Sequence, residues 1–155
     1  MLSVDQLRDV VPADSGFIFD VRRLAFREYV NLHEGWNEAN ELETHIDRFR
    51  RQRFRVIVAE GDVGYVATTV YPLATASHPA SLYLHQLMVL PAFHSRGIGS
   101  ACLRLLADEA SALGLSIRLR VLRINPRALA FYISAGCEVV GESDSHIALE
   151  LWMRR

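Results

Sequence analysis

The stretch from residue 81 to residue 112 constrains the fold most, because an apolar run, a glycine-containing turn and an amphipathic segment follow one another there. The apolar run ends at Val89-Leu90-Pro91, residues 94–99 read His-Ser-Arg-Gly-Ile-Gly, and the amphipathic segment begins at Ile98. This order is typical of a strand, a tight turn and the start of a helix. The two glycines let backbone N–H groups approach an anion closely. The turn indicates a phosphate-bearing ligand, although glycines also serve ordinary turns.

Hydrophobic periodicity predicts helices and strands on both sides of this unit. Apolar residues at three- and four-residue steps predict a helix ending near residue 31, with Val21 and Leu24 on its buried face, and another over 98–113. Acidic residues early and basic residues late predict a helix over 38–51, and Pro126 and Gly136 mark the ends of one over 126–135. Strands are predicted over 53–60, 63–71, 81–90, 117–121, 138–141 and 146–153. Alternating strands and helices with hairpins at both ends predict a mixed three-layer α/β sheet.

Length, charge and cysteine content narrow the class of protein. A chain of 155 residues with 50% hydrophobic residues and a formal net charge of −1 favours one globular domain over 1–155 and argues against a nucleic-acid partner. Cys102 and Cys137 lack the spacing of metal ligands, so we expect no metal. Residues 1–5 carry charge and no apolar core, and no apolar run reaches membrane length. We therefore expect a cytoplasmic protein without a membrane partner.

The turn and several residues after it resemble a known family. The run Leu87-Met88-Val89-x-Pro91-x-x-His94-Ser95-Arg96-Gly97-Ile98-Gly99, together with Asn125, Ala128, Phe131, Tyr132 and Gly136, is similar to the GNAT superfamily of N-acetyltransferases, which move an acyl group from coenzyme A to an amine. The resemblance covers about residues 81–141. It implies a mixed, mostly antiparallel central sheet of about six to seven strands flanked by helices on both faces. It also implies acceptor-side helices and a hairpin in 1–80, a coenzyme A-binding core in 81–141 and a C-terminal strand in 142–155.

The resemblance assigns acetyl-CoA binding to three segments. The family motif Gln/Arg-x-x-Gly-x-Gly/Ala holds the pyrophosphate through N–H groups, and the matching segment here is His94, Ser95, Arg96, Gly97, Ile98, Gly99 and Ser100. The chain departs from the motif at its first position, which is His94. The backbone of Leu87, Met88 and Val89 would pair with the pantetheine amides, and Asn125, Ala128 and Tyr132 would contact the coenzyme. Asn125 has an alternative role as the cap of the helix that starts at Pro126.

Two residues are the candidates for catalysis. A primary amine has a pKa of about 10.4, so acyl transfer at neutral pH needs a base, and a histidine of pKa near ~6.5 suits that task. His85 lies on the strand from which the family presents its base, on the same face as Tyr83. A structural histidine, a base at Tyr83 and a relay through water remain alternatives. Tyr132 matches the family's tyrosine that protonates the departing thiolate, and its alternative is a packing role.

The amine acceptor is the part that the sequence constrains least. By resemblance, His33, Glu34, Trp36, Tyr83 and His146 are candidates for contact with a small-molecule or peptide amine, and Glu38 is a further one. The leading interpretation is an acetyl-CoA-dependent N-acetyltransferase that acts by direct attack in a ternary complex. The alternative is a non-catalytic acyl-CoA-binding regulatory domain. The final strand, if it is a sheet edge, could pair with a second copy in a homodimer.

Overall fold

The computed structural model describes the backbone of residues 3–33 and 37–153, and the side chains of all of these except 26–33. The strands of this part are β1 (Gln6–Asp9), β2 (Arg53–Val58), β3 (Asp62–Tyr71), β4 (Ser81–Val89), β5 (Ile117–Leu122), β6 (Glu138–Glu142) and β7 (His146–Leu151). The helices are α1 (Ser15–His33), α2 (Glu38–Arg51), α3 (Ile98–Ala112) and α4 (Pro126–Ser134), with short 3-10 turns at Pro12–Asp14 and Pro91–Phe93.

The strands form one seven-stranded sheet in the order β1-β2-β3-β4-β5-β7-β6. The described pairs are antiparallel except for β4 with β5, which is parallel. The predicted mixed, mostly antiparallel sheet of six to seven strands flanked by helices is confirmed. Strand β1 was not predicted, because its sequence Gln-Leu-Arg-Asp has no apolar alternation and its register with β2 alone makes it a strand.

Contacts divide the chain into two compact units. The first unit contains Met1–Thr68 and Gln86–Cys102, and the second contains Thr69–His85 and Leu103–Arg155. β3, β4 and α3 therefore contribute residues to both. The single domain over 1–155 and its division at residues 80 and 141 stay predictions.

The core of the first unit lies between α1 and the strands β2 and β3. Its fully or nearly fully buried members are Ile18, Val21, Phe54, Val56, Tyr65 and Ala67. The predicted buried face of α1 is wrong at Leu24, which is 61% exposed. Arg22 takes the buried side of the helix together with Val21, because its guanidinium is hydrogen-bonded there.

The second unit has one buried and one partly exposed sheet face. On β5, Ile117, Leu119 and Val121 are buried while Arg118 and Arg120 are not. The same alternation places Leu82 and Leu84 of β4 inside and leaves Tyr83 and His85 half-buried. Because successive strand residues point to opposite faces, the residues between the buried ones form a surface that a ligand can reach.

Two further predictions have clear outcomes. Helix α2 has the predicted bounds, and the Asn37 side chain caps it by accepting a hydrogen bond from the Asn40 N–H at 3.1 Å. The prediction that the last strand is a sheet edge is wrong, because β7 lies between β5 and β6. The edge strand on that side is β6, which the short 143–145 connection folds back onto β7.

Candidate functional site

The turn before α3 presents backbone N–H groups at a helix start. Ser95 and Gly97 have positive φ angles of 61° and 80°, so the chain reverses sharply on both sides of Arg96. The first hydrogen bond of the helix runs from the Ala101 N–H to the Gly97 carbonyl oxygen at 3.0 Å. The N–H groups of Ile98, Gly99 and Ser100 precede it and have no intrahelical acceptor. Such a turn favours binding of an anion.

His94 holds this turn to the end of β4. Its ring Nε2–H donates to the Val89 carbonyl oxygen at 2.7 Å, and its backbone N–H donates to the Pro91 carbonyl oxygen at 3.2 Å. The Arg96 guanidinium lies 5.7 Å from the centre of the Phe93 ring. The departure from the family motif at His94 thus has a structural use, since the imidazole contacts the protein's own backbone.

The predicted pantetheine-pairing segment, Leu87–Val89, is the half-buried end of β4. The described register of β4 with β5 consists of Leu82↔Ile117 and Tyr83↔Arg118 at the start of each strand. The peptide groups of Leu87–Val89 therefore lie outside that ladder. On the opposite side of β4, Gly64 of β3 lets the two backbones come together, because a Cβ there would overlap the Met88 carbonyl oxygen.

Helix α4 carries the predicted proton donor. Asn125 caps the helix by accepting a hydrogen bond from the Ala128 N–H at 3.1 Å, Pro126 occupies its first turn, and Gly136 follows it with φ 103°. Tyr132 is buried on this helix, with its ring edge-on to Phe131 at 4.9 Å. Burial, with Cys137 close by, raises the pKa of Tyr132 above its usual range. The phenol therefore stays protonated at neutral pH.

His85, the candidate base, belongs to a group of rings in the second unit that we call the aromatic array: Tyr71, His78, Tyr83 and His85. The His85 Nε2 lies 2.9 Å from the Thr69 Oγ1, and its ring centre lies 5.0 Å from that of Tyr83. The structure thus brings two of the predicted residues together. Sequence reasoning did not select Tyr71 or His78, although the alternation on β3 could have placed Tyr71 beside Tyr83.

The predicted acceptor residues fall in different places. Glu34 and Trp36 lie outside the described residues, and His33 ends α1 without a described side chain. Glu38 is exposed and pairs with Arg23 at 3.4 Å. His146 opens β7, with its Nδ1 2.7 Å from the Ser145 Oγ.

A buried polar network in the first unit was also missed. The Arg22 guanidinium donates to the Gln86 Oε1 at 3.4 Å and to the Glu41 Oε2 at 3.3 Å, and the Tyr65 hydroxyl donates to the same Gln86 oxygen. This network joins α1, α2 and β3 to the side of β4 that faces away from His85. Its signal in the sequence was weak, because a single arginine in an amphipathic helix is usually exposed.

The described residues contain neither a membrane-spanning helix nor a cluster of metal ligands. No helix in that part of the chain has the length and apolar character needed to cross a membrane. Over residues 3–33 and 37–153, no group of three or more His, Cys, Asp or Glu side chains could hold a metal ion.

The mixed α/β sheet and the glycine-containing turn at the start of α3 agree with the acyltransferase class that the motif suggested. Residues 18–136 match the sequence model of the acetyltransferase (GNAT) family. The chain belongs to that family. No curated protein matches significantly.

Solved structures share the fold at low sequence identity. An acetyltransferase from Thermus thermophilus has a TM-score of 0.74 and 19% identity, covering 97% of each chain. PaiA N-acetyltransferase from Thermoplasma acidophilum, solved with coenzyme A, has a TM-score of 0.72 and 17% identity over 96% of this chain and 98% of its own. Naa50 from Arabidopsis thaliana, solved with the bisubstrate analogue CoA-Ac-MVNAL, has a TM-score of 0.68 and 19% identity over the same shares.

Proposed function

We propose that the protein is an acetyl-CoA-dependent N-acetyltransferase that acetylates a primary amine of a small molecule or peptide. The observation that carries the proposal is the turn at Ser95–Ser100, where the N–H groups of Ile98, Gly99 and Ser100 precede the first helical hydrogen bond. These groups suit the diphosphate of coenzyme A. Family membership and the solution of two fold relatives with coenzyme A or its analogue support the same donor.

The remaining contacts to the donor follow from the same elements. The peptide groups of Leu87–Val89 would pair with the pantetheine amides as an added strand, because they lie outside the β4–β5 ladder. An N–H of this segment would donate to the thioester oxygen and stabilise the negative charge that develops there. Arg96 and Asn125 would contact the coenzyme from the turn and from the start of α4.

The reaction is a direct transfer in a ternary complex. The amine nitrogen attacks the thioester carbon, so that a C–N bond forms as the C–S bond breaks. His85 takes the proton that the amine must lose, and Tyr132 donates a proton to the departing sulfur. Because burial makes the phenol a weaker acid than a thiol of pKa ~8.5, this donation requires that the departing thiolate be poorly solvated. Solvent then takes the proton from His85 and supplies one to Tyr132.

The test combines ligand binding with turnover. Acetyl-CoA is expected to raise the Tm in proportion to the logarithm of its excess over Kd. Thiol release is then measured across a panel of primary amines. Wild type is expected to turn over at least one of them, and Tyr132→Phe to lower kcat by about 10²- to 10⁴-fold without changing the Tm shift by acetyl-CoA.

The same experiment distinguishes the N-acetyltransferase from a non-catalytic regulatory domain. A protein that binds acetyl-CoA but releases no thiol with any amine would be an acyl-CoA-binding regulatory domain. A Tyr132→Phe variant as fast as wild type would show that the proton comes from another group. The variant His85→Ala tests the base in the same way. Its loss of turnover relative to wild type should be smaller at high pH, where more of the amine is already neutral.

A further inference from the structure

We propose that Gln86 is a positioning residue of the donor site, whose side chain fixes the backbone of Leu87–Val89 for the pantetheine arm of acetyl-CoA. The inference rests on the acetyl-CoA binding of the proposed function. It gives the buried polar network of Arg22, Glu41, Tyr65 and Gln86 a part in that binding. None of these four residues was selected from the sequence.

The segment Leu87–Val89 needs a restraint from outside its own ladder. The described register of β4 with β5 ends at Tyr83↔Arg118, four residues before Leu87. Backbone groups beyond that point are available to an amide chain that pairs as an added strand. Ordering such a backbone costs free energy when the ligand binds, unless the protein has already ordered it. Contacts that fix the segment in advance therefore favour binding of the pantetheine arm.

Two buried donors fix the Gln86 side chain directly before this segment. Its Oε1 accepts from the Arg22 guanidinium at 3.4 Å and from the Tyr65 hydroxyl. Gln86 and Arg22 are each 8% exposed, and Tyr65 is fully buried. The two donors lie on different elements, α1 and β3, so together they define the place of the oxygen. A satisfied buried network of this kind makes the local structure rigid, here at the start of Leu87–Val89.

The other end of the segment is held as well. The His94 Nε2–H donates to the Val89 carbonyl oxygen at 2.7 Å, and the Leu90 N–H donates to the Val63 carbonyl oxygen at 2.8 Å. Leu87–Val89 is thus restrained on both sides by groups that do not belong to the β4–β5 ladder.

Stability alone is a weak reason for the network. The Arg22 guanidinium donates to the Glu41 Oε2 at 3.3 Å, with the two side chains only 10% and 14% exposed. Apolar side chains of similar volume often stabilise a core as well as such an ion pair, or better. Directed hydrogen bonds, however, define the position of Gln86 more narrowly than apolar contacts would. A narrow position is what a site that pairs with a ligand through backbone groups requires.

The test measures binding of two ligands by calorimetry. One is acetyl-CoA, and the other is 3′-phosphoadenosine 5′-diphosphate, which has the diphosphate but no pantetheine arm. Wild type is expected to bind acetyl-CoA more tightly. Gln86→Met keeps the length of the side chain and removes the oxygen. It should lower the affinity for acetyl-CoA about two- to tenfold, the range of one hydrogen bond, and leave the affinity for the second ligand unchanged.

Two further variants keep the test independent of a folding defect. Tyr65→Phe removes one of the two donors and keeps the ring in the core, so it should cause a smaller loss of affinity for acetyl-CoA alone. Gln86→Glu keeps an oxygen for both donors and should recover most of the affinity that Gln86→Met loses.

The matched control is Ser15→Ala. It removes the 2.8 Å contact between the Ser15 Oγ and the His45 Nε2, which joins α1 to α2 within the same unit. Ser15→Ala and Gln86→Met are both expected to lower the Tm. Only Gln86→Met should change the ratio of the affinities for the two ligands.

The outcomes distinguish this inference from the proposed function. An equal loss of affinity for both ligands in Gln86→Met, a changed ratio in Ser15→Ala, or no recovery in Gln86→Glu would overturn the inference and leave the N-acetyltransferase standing. Wild type that binds neither ligand would overturn both. Wild type that shows the expected binding pattern but releases no thiol with any amine would overturn the N-acetyltransferase alone.

Discussion

The imidazole of His45 lies 3% exposed among three phenylalanine rings, with its Nε2 2.8 Å from the Ser15 Oγ. Its ring centre is 5.5 Å from that of Phe19, 5.6 Å from Phe49 and 6.3 Å from Phe54. Burial lowers the pKa of His45 below 6.5, and nearby Arg22 and Arg48 lower it further. The folded protein therefore holds this side chain neutral.

This burial predicts a pH dependence of stability. Above pH 6.5 both the folded and the unfolded chain carry neutral His45, so the titration of His45 does not lower the free energy of unfolding there. As the pH falls below 6.5, the unfolded chain binds a proton that the folded chain does not, and the free energy of unfolding falls by up to about 1.4 kcal/mol per pH unit. Denaturant unfolding from pH 7 to 5 should show this loss in wild type and a flatter profile in His45→Leu. Parallel profiles would contradict the assignment.

Gly64 is a second residue whose effect follows from its surroundings. A methyl group there would overlap the Met88 carbonyl oxygen and lie 3.0 Å from the Val89 Cα, both of which are backbone atoms. Gly64→Ala is expected to lower the free energy of unfolding by about 1–3 kcal/mol. It should also raise KM for acetyl-CoA, because it displaces the Leu87–Val89 segment.

The matched control is Gly16→Ala, since nothing lies within 4 Å of a Cβ at Gly16 in helix α1. That variant should be as stable as wild type or more so, because alanine favours helix over glycine. Both variants are measured by denaturant unfolding and by acetyl-CoA kinetics. Equal stability of Gly64→Ala and wild type would show that β3 and β4 tolerate a wider spacing.

At the scale of elements, substitutions of Asn125 at the start of α4 separate its role as helix cap from its proposed contact with the coenzyme. Its side chain caps the helix at Ala128, so Asn125→Ala should cost about 1 kcal/mol of stability. Asp is an equally good cap, so Asn125→Asp should restore the Tm. If the amide also contacts the coenzyme, Asn125→Asp will still bind acetyl-CoA more weakly than wild type. Full recovery of affinity in Asn125→Asp would assign the residue to capping alone.

Local patterns predicted the elements that are amphipathic and capped. Helix α2 follows from acidic residues early and basic residues late, and the β2–β3 hairpin follows from the two β-rich runs 53–60 and 63–71. Strand β1 could not be predicted, because a short polar segment becomes a strand only through its partner β2. The position of β7 inside the sheet depends on strand order, which periodicity does not encode.

At the scale of the whole molecule, the sequence indicates the residues of the proposed donor site more directly than those of an acceptor site. The turn at Arg96–Gly99, whose backbone groups would bind phosphate under the proposed function, is a motif that is contiguous in sequence. The aromatic array and its contact with Thr69 combine residues that are distant in sequence and that only the folded chain brings together. The burial of Arg22 has the same origin, since Gln86 and Glu41 lie far from it along the chain.

The proposed function depends on binding of the acetyl-CoA diphosphate by the backbone N–H groups at the start of α3. Gly99→Asp places a carboxylate in that helix turn, where negative charge favours the helix itself but repels a phosphate. Gly99→Asn adds a side chain of the same size without the charge.

Calorimetric titration of acetyl-CoA into wild type, Gly99→Asn and Gly99→Asp is the most direct test. We predict measurable binding by wild type, weaker binding by Gly99→Asn and the weakest by Gly99→Asp, whose Tm without ligand should be no lower than that of Gly99→Asn. Equal affinity of Gly99→Asp and Gly99→Asn, or no heat of binding with wild type, would show that these N–H groups do not bind the diphosphate.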